Sequence, residues 1–158
     1  MKFNHIELNS RLNKDYLFLK SMLISSLEAG NRSQTNKVMK DFLNLQKPDK
    51  STYNGIVLLD NNKKVFDACS KNTDTNISPL LGSSYNGIDF EEDKNAALSV
   101  LTLYRADKDH PMGRKSIEIA FEMNKNNHRI GWLIFQLDLY RLKTDYGVDV
   151  SGKKQLRF

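Results

Sequence analysis

HRIGWLIFQLDLYRLK, residues 128–143, decides how the rest of this chain is read. Ile130, Trp132 and Ile134 alternate onto one face, followed by Gln136 and Asp138, while Leu133, Phe135, Leu137 and Leu139 fall on the other. Apolar residues on both alternating faces are the mark of a strand covered on both sides. The run is too short to span a bilayer, and Gln136 and Asp138 interrupt it. Beyond Asp138 the apolar spacing becomes Leu139, Leu142, Tyr146, which is helical. Asp138 suits an N-cap, where its carboxylate accepts from the free N–H groups of the first turn, and Gly147 suits a left-handed C-cap. A central strand running directly into a short helix over 139–147 is therefore expected.

The other strands arrange around this one. GIVLLD (55–60) and KVFDAC (64–69) flank Asp60-Asn61-Asn62, a turn of residues that tolerate left-handed backbone. ALSVLTLYR (97–105) and RKSIEIAFEM (114–123) precede the opening stretch through short turns, so the last three strands form an antiparallel meander. Residues 71–85 are polar and broken by Pro79 and Gly82, hence irregular, and 87–95 reads as a short helix with acids in its first turn. Before the strands, Ile6, Leu8, Leu12, Tyr16, Leu19, Leu23 and Leu27 give a helical stripe over 6–29, stopped by Gly30. A second helix over 34–45 ends before Pro48. Helices that precede the strands, rather than alternate with them, make an α+β fold: a long N-terminal helix packed on a five-stranded antiparallel sheet. One domain over 1–147 is expected, with 148–158 as a polar, basic linker or tail. The first helix is about 35 Å long at 1.5 Å per residue. Its stripe exceeds what a small sheet covers, which predicts a weak parallel homodimer through its start.

Composition bounds the function classes. The chain has 158 residues, 27% of them charged, and a net charge of +5 with Lys and Arg scattered among Asp and Glu. A nucleic-acid binder would carry a basic stripe with interleaved aromatics, so no nucleic-acid partner is expected. Cys69 is the one cysteine, so no internal disulfide forms, and its place in KVFDAC suits a small packing residue. No run of 18 apolar residues occurs, and residues 1–30 lack a signal-peptide pattern. This composition also suits a segment of a larger membrane protein.

The order of long helix, second helix, GIVLLD–NNK–KVFDAC, LLGSSYNGIDF and three strands ending in IGWLIFQLDLYRL resembles the Cache sensor domains, PAS-like ligand-binding modules outside the bacterial membrane. The resemblance covers residues 6–146. One module's worth of sequence is present, so it is to the single-module form. It implies a PAS-like sheet, a small-molecule ligand, an extracytoplasmic location and a parent receptor anchored in the membrane. Its output domain would be a chemoreceptor, a histidine kinase or a cyclic-dinucleotide enzyme. It also implies a pocket on the sheet face opposite the long helix, covered by residues 70–90, with Tyr85 and Phe90 as lid or wall.

Chemistry-bearing patterns favour binding over catalysis. GxGxxG, GxxxxGK, CxxC and HExxH do not occur, and His5, His110 and His128 lie far apart, so neither cofactor nor metal is expected. Glu118 and Glu122 alternate with Ser116 and Ala120, which reads as the solvated face of a half-exposed strand rather than an acid–base pair. Tyr104, Arg105, His110, Arg114, Lys115 and Arg129 cluster at strand ends around the meander turns. Guanidinium forks with tyrosine and histidine can cradle a carboxylate. Tyr104 and Thr102 are expected as sheet-floor contacts, the turn cations as an anion clamp, and Trp132 as core or pocket floor. The leading expectation is a sensor of a small organic anion. The competing one is a ligand-free PAS-like dimerisation module.

Overall fold

The computed structural model describes residues 4–72, 75–85, 101–104, 116–148 and 155–156. Its elements run α1 (Asn4–Glu28), α2 (Arg32–Leu43), β1 (Tyr53–Asp60), β2 (Val65–Ser70), β3 (Leu101–Tyr104), β4 (Ser116–Lys125), β5 (His128–Asp138), α3 (Leu139–Tyr146) and β6 (Gln155–Leu156). The α+β reading holds. The sheet order is β2-β1-β5-β4-β3-β6, antiparallel throughout. The opening stretch is the central strand: β5 pairs along its length with β4 on one side and β1 on the other. Beyond the five expected strands, Gln155–Leu156 adds a short sixth on β3. The expected helix over 87–95 lies outside the described residues.

Local chemistry sets the boundaries. Gly30 closes α1 with φ +68°, which a side chain would disfavour. Asn31 caps α2 by accepting from the Gln34 N–H at 3.1 Å. In the β1–β2 turn, Asp60 Oδ1 accepts from Asn62 N and Lys64 N, and the left-handed residue is Lys63 rather than either asparagine. Asn126 and Asn127 both have positive φ, so the β4–β5 hairpin turns through two residues whose short polar side chains suit that backbone. Asp138 caps α3, accepting from Arg141 N at 3.0 Å, and Gly147 ends it at φ +65°.

The two sheet faces have different fates. Toward α1, β4 presents Ile117, Ile119, Phe121 and Met123 and β5 presents Leu133, Phe135 and Leu137. They meet the buried stripe Leu8, Leu12, Tyr16, Leu19, Leu23 and Leu27. Tyr16 stacks on Phe121 at 4.4 Å between centroids, Tyr53 on Phe135 at 4.9 Å, and Phe121 meets Phe135 edge-on at 5.7 Å. This is the main core. The other face carries a smaller apolar cluster of Val57, Leu59, Val65, Ala68, Tyr85, Ala120, Trp132 and Ile134, on which Ile77, Leu80 and Leu81 pack.

Candidate functional site

The face away from α1 is split along its length. Trp132, Ile134, Ala120, Val57 and Leu59 make one half apolar. The other half carries Ser116 and Glu118 on β4, Gln136 on β5 and Asn54 at the start of β1, all buried. Asn54 reaches this face because β1 bulges between Tyr53 and Gly55, leaving Asn54 as the extra residue against β5. Its Nδ2 donates to Ser116 Oγ at 2.7 Å, across β5.

Here the structure corrects the reading of Glu118. Glu118 is 0% exposed, and Glu122 alone of the pair reaches solvent. A strand face of Ser, Glu, Ala, Glu looks solvated in sequence. Here β4 is an interior strand, and the cover from beyond β2 folds over that face. Burial pushes the Glu118 carboxyl up to about 7, with hydrogen bonds from Tyr85 and Gln136 acting the other way.

The cover is residues 75–85, built on a short 3-10 turn at Ser78–Leu80. Backbone bonds stitch it to the β1–β2 hairpin: Gly82 N donates to Val65 O, Val65 N to Ser83 O, and Tyr85 N to Lys63 O. Its last described residue, Tyr85, is buried and donates its hydroxyl to Glu118 Oε2. Burial and the neighbouring Glu118 charge hold the Tyr85 hydroxyl well above its ordinary range, so it stays a donor. Just beyond β2, on the way to the cover, Lys71 Nζ meets Asp138 Oδ2 at 3.0 Å with both side chains largely buried. Burial opposes ionisation of Asp138. The Lys71 bond and the Arg141 N–H outweigh it, and the carboxyl lies below its usual value.

Of the expected site residues, Tyr85 and Trp132 both lie on this face. Trp132 belongs to its apolar half, with the Arg129 guanidinium 4.8 Å above the ring. Arg129 itself is engaged by Asn61 and Glu122 at the hairpin end. Thr102 and Tyr104 occupy the register positions opposite Glu118 and Ser116. Arg105, His110, Arg114, Lys115 and Phe90 lie outside the described residues. Glu118, Gln136, Asn54, Ser116 and Lys71 were not expected at the site. Glu118 is buried by the cover from 33 residues earlier, which no spacing within β4 reports. Among the described residues no group of three or more His, Cys, Asp or Glu side chains could hold a metal. No described helix is long and apolar enough to cross a membrane.

No family model and no curated protein matches the chain. Solved structures do. The Vibrio cholerae histidine kinase DctB sensor domain superposes with a TM-score of 0.60 at 15% identity, over 92% of this chain and 55% of that one. The domain of a putative sensory box/GGDEF family protein from Vibrio parahaemolyticus gives 0.60 at 14%, over 89% of this chain and 57% of that one. The ligand-binding domain of the Pseudomonas fluorescens chemoreceptor CtaA, in complex with L-serine, gives 0.51 at 15%, over 89% and 57%. The chain thus spans little more than half the length of these solved chains. Its fold is that of the Cache sensor domains.

Proposed function

We propose that this chain is the ligand-binding input domain of a membrane receptor, taking a small extracellular solute on the sheet face opposite α1. The observation that carries this reading is the buried polar patch Asn54, Ser116, Glu118 and Gln136, set beside an apolar half and roofed by a separate segment. A folding core has no use for such a patch, whereas a binding site needs a few placed polar groups in apolar walls. The likeness to sensor domains of a histidine kinase and a chemoreceptor supports the extracytoplasmic placement and the membrane-anchored parent.

Binding becomes a signal only if the ligand prefers one of two arrangements. The cover is the element proposed to shift between them. It is tied to the sheet by Tyr85–Glu118 at one end. Near its other end, Lys71 meets Asp138, the residue that caps α3. A ligand that displaces Tyr85 moves the cover and, through Lys71, the start of α3.

An organic anion held by Arg105, His110, Arg114 and Lys115, with Thr102 and Tyr104 beneath, is the proposed ligand chemistry at the meander turn. Calorimetry of acetate, succinate, ethanolamine, putrescine and β-alanine against the wild type and Arg114→Ala tests both levels. At least one solute is expected to bind at or below millimolar concentration. A carboxylate should lose about 10-fold or more in Arg114→Ala. If the panel fails, and nothing small is released from the denatured purified protein, a ligand-free interaction module becomes the better reading. A carboxylate that ignores Arg114→Ala removes the clamp alone.

The proposed homodimer would use α1. The contact would lie at its start, where Ile6 is exposed. Sedimentation at high micromolar concentration should show dimer that Ile6→Glu abolishes. Monomer throughout would remove the dimer and leave the binding reading intact.

A further inference from the structure

Resting on the binding reading above, we infer that the polar half of the site takes a ligand ammonium group, held by the two acceptors Glu118 Oε1 and Asn54 Oδ1. Both atoms are buried and, among the described residues, neither has a hydrogen-bond partner of its own, the bonds to the Glu118 carboxyl from Tyr85 and Gln136 leaving Oε1 open. Their residues are 0% and 2% exposed. Each has committed its other polar atom: Tyr85 donates to Glu118 Oε2, and Asn54 Nδ2 donates to Ser116 Oγ at 2.7 Å. The two residues are linked through Ser116, which stands two positions before Glu118 on the same face of β4. Buried acceptors in native proteins are nearly always satisfied, because one left bare forfeits its hydration with nothing in return. Two bare acceptors of the same kind, on one face, ask for a donor-rich partner.

The charge balance narrows that partner. Glu118 is faced by Tyr85 from the cover and Gln136 from β5, with Ser116 and Ala120 beside it on β4 and the Thr102 position opposite on β3. Among the described residues none of these is a cation. The nearest buried cation on this face, Lys71, is committed to Asp138, which stands opposite Ser116. A carboxylate group set against Glu118 itself, as distinct from the meander turn, would bring another acceptor and a like charge beside Oε1. An ammonium brings three donors and the opposite charge. The apolar half beside it, Ile134, Ala120 and Trp132, suits a short carbon chain attached to that nitrogen.

Occupancy then depends on ionised Glu118. A ligand amine stays protonated across the neutral range, so its affinity should fall as acid protonates the carboxyl. With Glu118 titrating at about 7, the loss is about 10-fold from pH 8 to pH 6. The test titrates the full chain with ethanolamine and putrescine (amines without carboxylate), acetate and succinate (carboxylates without amine) and β-alanine, each at pH 6 and pH 8. An amine-bearing solute is expected to bind, about 10-fold tighter at pH 8, and about 30-fold more weakly to Glu118→Gln. Asn54→Ala should weaken the same solute about 10-fold. Unfolding of each variant in urea separates lost binding from lost fold. Carboxylates binding while every amine fails overturns this inference and leaves the sensor reading standing. No binding by any solute overturns this inference, and the sensor reading falls with it when nothing small is released from the denatured purified protein. Amine binding that is equal in wild type and Glu118→Gln places the ammonium elsewhere and overturns it too.

Discussion

Glu118→Gln will make the ligand-free protein more stable at pH 8 by about 3 kcal/mol and leave it nearly unchanged at pH 4. The Glu118 carboxyl rises from 4.5 to about 7 on folding, chiefly because burial penalises its charge. The folded state therefore binds that proton more tightly than the unfolded state. Below the unfolded value the carboxyl is neutral in both states and costs nothing. As pH climbs from 4.5 through 7 the unfolded chain ionises freely while the folded one resists, and stability drains away. Above 7 the loss is complete. Glutamine cannot ionise, keeps an oxygen for the Tyr85 hydroxyl and has nearly the same shape. The other carboxylates titrate alike in both proteins, so the difference between the two urea midpoints isolates Glu118. It should grow from pH 4 to pH 8 at constant denaturant slope. A variant equal to or weaker than the wild type at pH 8 would mean that Glu118 is not buried uncharged.

A residue whose removal stabilises the fold is kept for another reason. Most substitutions of buried groups destabilise, and functional sites are where a protein tolerates groups its fold would reject. The same Glu118→Gln change is expected to strengthen the fold and weaken amine binding. A purely structural carboxylate would not divide its effects that way.

The architecture was legible from residues 128–143 because periodicity reports burial directly. Both faces of Ile130–Leu139 are apolar, and the strand lies between two others with cover on each side. Asp138 and Gly147 announced the ends of α3 by the backbone groups that they satisfy. Tyr85 was nominated through the resemblance, and its hydroxyl does meet the sheet. Glu118 was not legible. Ser116, Glu118, Ala120 and Glu122 have the composition of a solvated face, and nothing local tells solvent from a roof contributed by residues more than thirty positions earlier. Lys71 and Asp138 escaped for the same reason: a buried pair 67 residues apart leaves no spacing to read. Arg129, a cation at a strand end, meets Asn61 and Glu122 and lies over the Trp132 ring, contacts that no spacing in the sequence announces.

Gly131→Ala should cost at least about 3 kcal/mol. Gly131 sits in β5, opposite Met123 of β4 and Asp60 of β1. A Cβ there would fall on the Leu59 carbonyl oxygen and lie 3.1 Å from Leu27 Cδ2. The Leu27 methyl ends a flexible side chain and can swing aside. The carbonyl is backbone, fixed by the ladder between β1 and β5, so relief requires parting those two strands. Gly30→Ala is the control. Its added methyl has nothing within 4 Å, and the penalty there comes only from φ +68°, about 1 kcal/mol. Urea unfolding of the two variants should therefore separate them by at least about 2 kcal/mol, with Gly131→Ala the weaker. Because Gly131 lies on the α1 side of β5, amine binding by whatever fraction remains folded should keep its wild-type affinity. Equal midpoints would mean that β1 and β5 are not as close at Leu59 as the fold requires. A loss of affinity without a loss of stability would tie the close approach to the ligand face instead.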